Sequence, residues 1–205
     1  MQVLFVHGMG RTPLSGWPLL RRLRRAGLHT HTFGHWVSRH SVAAIVGQLG
    51  QRLAQVASIG EYVLVGHSLG GVLLREALRT AAPTIRAPQR LFLLGSPIQV
   101  SSIAARLGRN PLYRLLTGDC GRMLGSAERM AAVGPPAVPV TAIVGVKGWS
   151  LVAGLLPREP HDGIVTVAET RAPWLSDVVL LPVPHMLLPA DARVAQAILD
   201  RLRRP

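Results

Sequence analysis

Short, wholly apolar runs along this chain alternate with longer stretches whose apolar residues recur every three or four positions. Residues 3–6 form one such run, and 16–26 behind it place Leu19, Leu20 and Leu23 on one helical face. Residues 29–33 read as a second strand, and 41–57 as a helix with Ser41 at its N-cap. Strands follow at 62–65 and 90–94, with a helix over 71–78 between them. Residues 139–144 and 178–183 complete the strands. Residues 192–202 are the last helix, entered through Asp191, a natural cap with a charge suited to a helix N-terminus. Apolar strands alternating with amphipathic helices predict an α/β protein with a mostly parallel, doubly wound sheet flanked by helices. Segment 97–136 breaks the alternation. It is bracketed by Gly95-Ser96-Pro97 and Gly134-Pro135-Pro136 and holds short helical pieces around Ile103 and Leu115. An insertion there lies over the strand C-termini, so a small cap or pocket wall is expected.

Size and composition narrow the class. The 205 residues, 48% of them hydrophobic with a mean hydropathy of +0.30, suit one domain spanning 1–205 with a substantial core. The most apolar stretches, 131–146 and 178–190, are broken by prolines and by His185, so neither reads as a membrane span. A strand beginning at Gln2 and reaching His7-Gly8 so early argues against a cleavable leader. The single cysteine, Cys120, excludes an intrachain disulfide framework and a cysteine-based metal site, and reads as a small buried apolar residue. A cytoplasmic location is expected.

The formal charge of +13 comes from 23 basic against 10 acidic residues, and Lys147 is the only lysine. Arginines cluster at Arg21, Arg22, Arg24 and Arg25, and again at Arg201, Arg203 and Arg204. Both clusters fall on predicted surface helices without interleaved aromatics, and aromatics are only 4% of the chain. That pattern allows weak attraction to an anionic membrane surface and does not support specific nucleic-acid recognition.

The chemistry concentrates at Gly66-His67-Ser68-Leu69-Gly70, directly behind a predicted strand and ahead of a predicted helix. A serine between two glycines at a strand-to-helix turn is a nucleophile elbow, in which a strained backbone lifts the hydroxyl clear of the sheet. Side chains at Gly66 or Gly70 would collide with neighbouring backbone. A serine hydroxyl needs a base, an orienting acid and an oxyanion hole.

In this order of parts the base follows the serine, and only His161 and His185 do so. His185 falls just beyond a predicted strand, on the elbow's side of the sheet, and is preferred as general base. Asp162, ahead of Gly163, is the preferred acid, with Glu159 its nearest competitor. For the oxyanion hole the expected backbone donors are Leu69, at the start of the elbow helix, and Met9, in the His7-Gly8-Met9-Gly10 turn after the first strand. A phosphate cradle is excluded there, because the turn lacks both the dinucleotide spacing and a following lysine.

His7-Gly8, Gly66-His67-Ser68-Leu69-Gly70-Gly71, Leu94-Gly95-Ser96-Pro97, Asp162-Gly163-Ile164-Val165 and His185, in that order, resemble an α/β-hydrolase. More narrowly the chain resembles compact bacterial lipases and esterases and the related GPI inositol-deacylase-like hydrolases, over nearly its whole length. The resemblance implies a covalent acyl-serine intermediate, no cofactor, and small-molecule or lipid ester substrates. Thioester or amide cleavage on the same machinery, or a non-catalytic binding protein on the same fold, are the alternatives. Segment 97–136 is small for a full lipase lid. Leu14 and Trp17 are expected to wall an acyl pocket, the apolar segment 149–156 either to join that wall or to be core, and Met186-Leu187-Leu188 to pack around the base.

Overall fold

The computed structural model describes residues 1–81, 83–148 and 153–203. Its centre is one sheet of six parallel strands: β1 (Gln2–Val6), β2 (His29–Phe33), β3 (Tyr62–His67), β4 (Leu91–Leu94), β5 (Val140–Gly145) and β6 (Asp177–Leu181). The spatial order is β2-β1-β3-β4-β5-β6. Chain order reverses between β1 and β3, and Val6 of β1 stands opposite Gly66 of β3. Loops leaving two strands at such a switch point diverge and open a crevice beyond the strand C-termini.

Alternate residues of the central strands feed opposite faces, because successive side chains of a strand point to opposite sides. Leu4, Leu64, Leu91 and Leu93 join one core with α2 (Val42–Ile59) and α3 (Leu69–Thr80). Phe5, Val63, Val65 and Phe92 join the other with α1 (Trp17–Arg25) and α7 (Ala192–Arg203). This division explains why the central strands read as unbroken apolar runs. The helix ends follow their predicted caps: Ser41 accepts from the Ala44 amide at 3.2 Å, and Asp191 from the Arg193 amide at 2.8 Å. The predicted helix over 16–26 is α1 preceded by a 3₁₀ turn, Pro13–Gly16. The elbow strand runs two residues further than its apolar stretch, because Gly66 and His67 still pair with β4.

Segment 97–136 forms three helices, α4 (Ser102–Leu107), α5 (Pro111–Leu124) and α6 (Ala127–Ala132). Cys120, Met123, Leu124, Met130 and Val133 are buried in the core that holds α2 and α3. Leu112, Leu115 and Leu116 in the first half of α5 face outward. Asp119 ties this segment to α2. It accepts the first amide of α2, Val42 N–H, at 2.9 Å and the Arg129 guanidinium at 2.9 Å. Those donors hold its carboxyl at about 2, with the Arg129 hydrogen bond the largest cause.

Asp119→Asn is expected to cost about 1–2 kcal/mol at neutral pH. The folded pKa lies below the unfolded one, so this stabilisation is fully present above the ordinary carboxylate value. It disappears as pH falls toward about 2. Urea unfolding of both proteins across that range measures the convergence.

Candidate functional site

Ser68 has φ 53° and ψ −124°, the sole positive φ among described non-glycine residues. Holding a serine there costs on the order of 1–3 kcal/mol, and the surroundings enforce it. The Ser68 amide is locked to the Leu94 carbonyl at 2.9 Å. The backbone around it is packed as tightly as the two glycines predict. A side chain at Gly66 would sit 2.5 Å from the Gly71 nitrogen, and one at Gly70 would strike the Val6 carbonyl oxygen. Gly8, after β1, lies directly against Ser68: a Cβ there would be 3.0 Å from the serine's own. Met9 follows at this edge, half-buried against the core of α2 and α3. Leu69 opens α3, whose N-terminus no side chain caps.

Asp162 and His185 meet across 23 residues. His185 Nδ1–H donates to Asp162 Oδ2 at 2.6 Å, and the His185 amide donates to the Asp162 carbonyl at 2.9 Å. The other carboxylate oxygen accepts the Ile164 and Val165 amides at 3.0 and 2.8 Å, so the turn after Asp162 orients the acid. Asp162 is fully buried and His185 is 3% exposed. A carboxylate only accepts, so the proton sits on Nδ1 and leaves Nε2 bare. His161, the rejected base, instead accepts the Gly163 amide within the same turn. Glu159 is partly buried, and His185 makes its carboxylate contact with Asp162.

Two neighbours of this pair carry no strong signal in the sequence. Gly95, at φ +53°, leaves room for it: a Cβ would come within 2.8 Å of Asp162 Oδ2 and 3.0 Å of His185 Nδ1. The Gly95-Ser96-Pro97 turn at the end of β4 was the visible hint. His67 lies against His185, its ring 4.8 Å from that of His185 and its Nε2–H donating to the His185 carbonyl at 3.1 Å. This contact links the residue before Ser68 to His185. Among the described residues the Ser68 hydroxyl itself makes no hydrogen bond, and the residue is partly exposed.

Further buried imidazoles continue from His67 toward the loop after β1. His7 and His35 stack with centroids 4.1 Å apart, and His7 Nε2 accepts the His35 amide at 3.3 Å. Burial pushes the His35 pKa down to about 3 and lowers those of His7 and His67 as well. These rings are therefore neutral near pH 7, and His67 adds no positive charge beside His185. Cys120, by contrast, is a core thiol pushed up to about 12, chiefly by burial.

A cleft of about 310 Å³ opens beside Gly8, bounded by His35, Trp36, Val37, Pro13 and Leu116. Trp36 and Leu116 carry no wall signal in the sequence, since nothing in local periodicity brings a loop after β2 to α5. Leu14 and Trp17, expected as pocket wall, instead project to solvent, 77% and 50% exposed. Of segment 149–156, residues 149–152 lie outside the described residues, and Leu156 is buried. Leu188 is buried beside Gly95, while Met186 and Leu187 face outward. Glu169, buried and unremarked in the sequence, accepts the first amide of α4 at 2.7 Å and the Thr166 amide at 3.1 Å. It thereby fastens the Asp162 loop to the helical insertion.

The sequence model of the alpha/beta hydrolase family matches residues 3–204. A search of curated proteins returned no match. Among solved structures, the mature lipase BlEst2 of Bacillus licheniformis is similar at a TM-score of 0.73 and 15% identity, over 98% of this chain and 91% of that one. The metagenomic carboxyl esterase MGS0156 gives 0.75 and 16%, over 100% and 76%. Phospholipase PlaB of Legionella pneumophila, solved with thio-NAD, gives 0.75 and 16%, over 100% of this chain and 59% of that chain. Among the described residues no helix is long and apolar enough to cross a membrane.

Gly95→Ala is expected to push His185 off Asp162 and to destabilise the fold by about 1–3 kcal/mol. Loss of the strongly deshielded imidazole N–H proton in the NMR spectrum would report the broken pair. The buried histidines impose a pH dependence of their own. Their folded pKa values lie below the unfolded value of about 6.5, so the unfolded chain binds more protons and stability falls as pH drops through that value. His35 alone contributes a loss of about 2 kcal/mol between pH 6.5 and 5. His35→Phe, which retains a ring against His7, is expected to remove that share from urea unfolding curves.

Proposed function

The chain belongs to the alpha/beta hydrolase family, and from that premise we propose that it hydrolyses carboxylic esters through an acyl-serine intermediate. The observation that carries this reading is the buried Asp162–His185 hydrogen bond, anchored by His67 beside the strained turn that presents Ser68. The similarity in fold to a lipase and to a carboxyl esterase supports it.

In this mechanism Ser68 Oγ attacks the ester carbonyl carbon while His185 Nε2 takes its proton. Asp162 stays ionised. It fixes the Nδ1–H tautomer and stabilises the imidazolium, helped by a buried site in which its other oxygen is already satisfied by two amides. The carbonyl oxygen, now negative, is held by the Met9 and Leu69 N–H groups, the latter at the positive end of α3. Neutral His67 matters at this step, because a second cation beside His185 would oppose formation of the imidazolium. His185 then protonates the leaving alkoxide, and the tetrahedral intermediate collapses to acyl-serine. A water, deprotonated by His185, attacks the acyl carbon, and the proton returns to Ser68 as the carboxylic acid leaves. The acyl group would lie in the cleft between Gly8, Trp36 and Leu116, whose walls are mostly apolar.

p-Nitrophenyl esters from acetate to palmitate test the proposal. Turnover by the native chain is expected to fall by about 10⁴-fold or more in Ser68→Ala, and by about 10⁴-fold in Asp162→Asn. A fluorophosphonate probe should label Ser68. Absence of both turnover and labelling in the native protein would rule the mechanism out. The acyl-length profile measures the cleft.

A further inference from the structure

The cleft opens onto a surface unlike the rest of the molecule. On one side α5 exposes Leu112, Leu115 and Leu116, which are 63%, 72% and 60% accessible. Trp36, 64% accessible, stands next to them, because α5 presses directly on its loop: a side chain at Gly118 would collide with the Val37 carbonyl. On the other side the 3₁₀ turn Pro13–Gly16, whose Pro13 lines the cleft, packs against the turn His185–Ala190; the first exposes Leu14 and the second exposes Met186 and Leu187. Exposed large apolar side chains thus stand on four separate elements, with Trp36 and Leu116 lining the cleft itself. Large apolar side chains exposed together around a cleft mark a docking site.

The charge around the patch indicates the occupant. No aspartate or glutamate occurs in residues 1–60, and none occurs between Glu76 and Asp119. The loop of Trp36, the turn of Leu14 and the first half of α5 therefore carry arginine with no carboxylate of their own, and Asp119, the carboxylate of α5, is engaged by Arg129 and the Val42 amide. Arg11 lines the cleft, Arg39 lies 5.1 Å over the Trp36 ring, Arg21 lies 5.2 Å over Trp17, and Arg114 is exposed on α5 among the leucines. Tryptophan and leucine flanked by arginine suit the boundary between acyl chains and anionic headgroups. A second copy of the chain would bring arginine against arginine. Nucleic acid would leave the aliphatic leucines without a partner.

We propose that this rim docks the protein on an anionic phospholipid surface, with the cleft mouth facing the lipid. The inference rests on the esterase reading only for its purpose, delivery of a lipid ester to Ser68, because binding is measurable without hydrolysis. Arg24 and Arg25 provide the control. Arg24 borders a depression with Gln2 and His29, at the opposite end of the sheet from the mouth.

Cosedimentation of the Ser68→Ala protein, which leaves lipid intact, is measured with vesicles of phosphatidylcholine and of phosphatidylcholine mixed with phosphatidylglycerol. Binding is expected on the mixed vesicles and weak on the neutral ones. Affinity should fall about tenfold or more in Leu112→Gln/Leu115→Gln, which leaves the net charge unchanged, and less than about twofold in Arg24→Gln/Arg25→Gln. No binding to the mixed vesicles, or undiminished binding by the leucine variant, would overturn the proposal. So would an equal loss in the arginine control, which would make overall charge the cause. p-Nitrophenyl acetate turnover by the leucine variant with Ser68 intact should match the native rate. Vesicle binding with no ester turnover would uphold the docking surface and reject the esterase reading.

Discussion

The close approach of α3 to the C-terminal ends of β1 and β3 is the constraint on which the site depends. Gly66 and Gly70 lack the side-chain atoms that would keep the helix away, and each faces backbone that cannot yield. With the helix start pressed against the Val6 carbonyl, the chain has one short residue span in which to turn from strand to helix. Ser68 absorbs that turn in a conformation side chains rarely adopt. The same compression sets Gly8 against Ser68 and pins the Ser68 amide to β4. Three adjacent strands therefore fix the position of one hydroxyl.

Around that point the protein buries polar groups and satisfies them in a particular order. Asp162 has both oxygens occupied before any substrate arrives, two amides on one and His185 on the other. Those three hydrogen bonds fix its geometry. The surrounding histidines carry no charge near pH 7, because burial holds His7, His35 and His67 neutral. Glu169 extends the arrangement outward by joining the Asp162 loop to the start of α4. The insertion after β4 is consequently structural through its core residues and Glu169, and open to solvent through its leucines.

Charge is distributed by function as much as by composition. Arginines of the two sequence clusters divide into surface charges and struts: Arg22 donates to the Ala190 carbonyl at 2.9 Å, and Arg201 pairs with Asp177 at the start of β6. Arg75 is buried on α3, donates to the Gly134 carbonyl at 2.7 Å and lies over Trp174. The carboxylates that exist are mostly spent on such ties, which leaves the face around the cleft basic.

The sequence by itself determined what is local. Strand and helix periodicity, Ser41 and Asp191 as caps, and the Gly-His-Ser-Leu-Gly turn are decided within a few residues, where backbone sterics and side-chain alternation act. Chain order also singled out His185 and Asp162, because a strand end and a turn aspartate are local features. Their pairing was a matter of tertiary structure, since Asp162 and Glu159 are alike in sequence and only the Asp162 turn closes on His185. The space that Gly95 leaves, the stack of His7 on His35, and the seating of His67 against His185 were likewise invisible. Each depends on strands brought side by side from distant parts of the chain. Leu14 and Trp17 mark the limit most clearly. Their hydrophobicity placed them at the site, but whether they faced inward or outward was decided by the packing of the Pro13–Gly16 turn and of α1 against His185–Ala190.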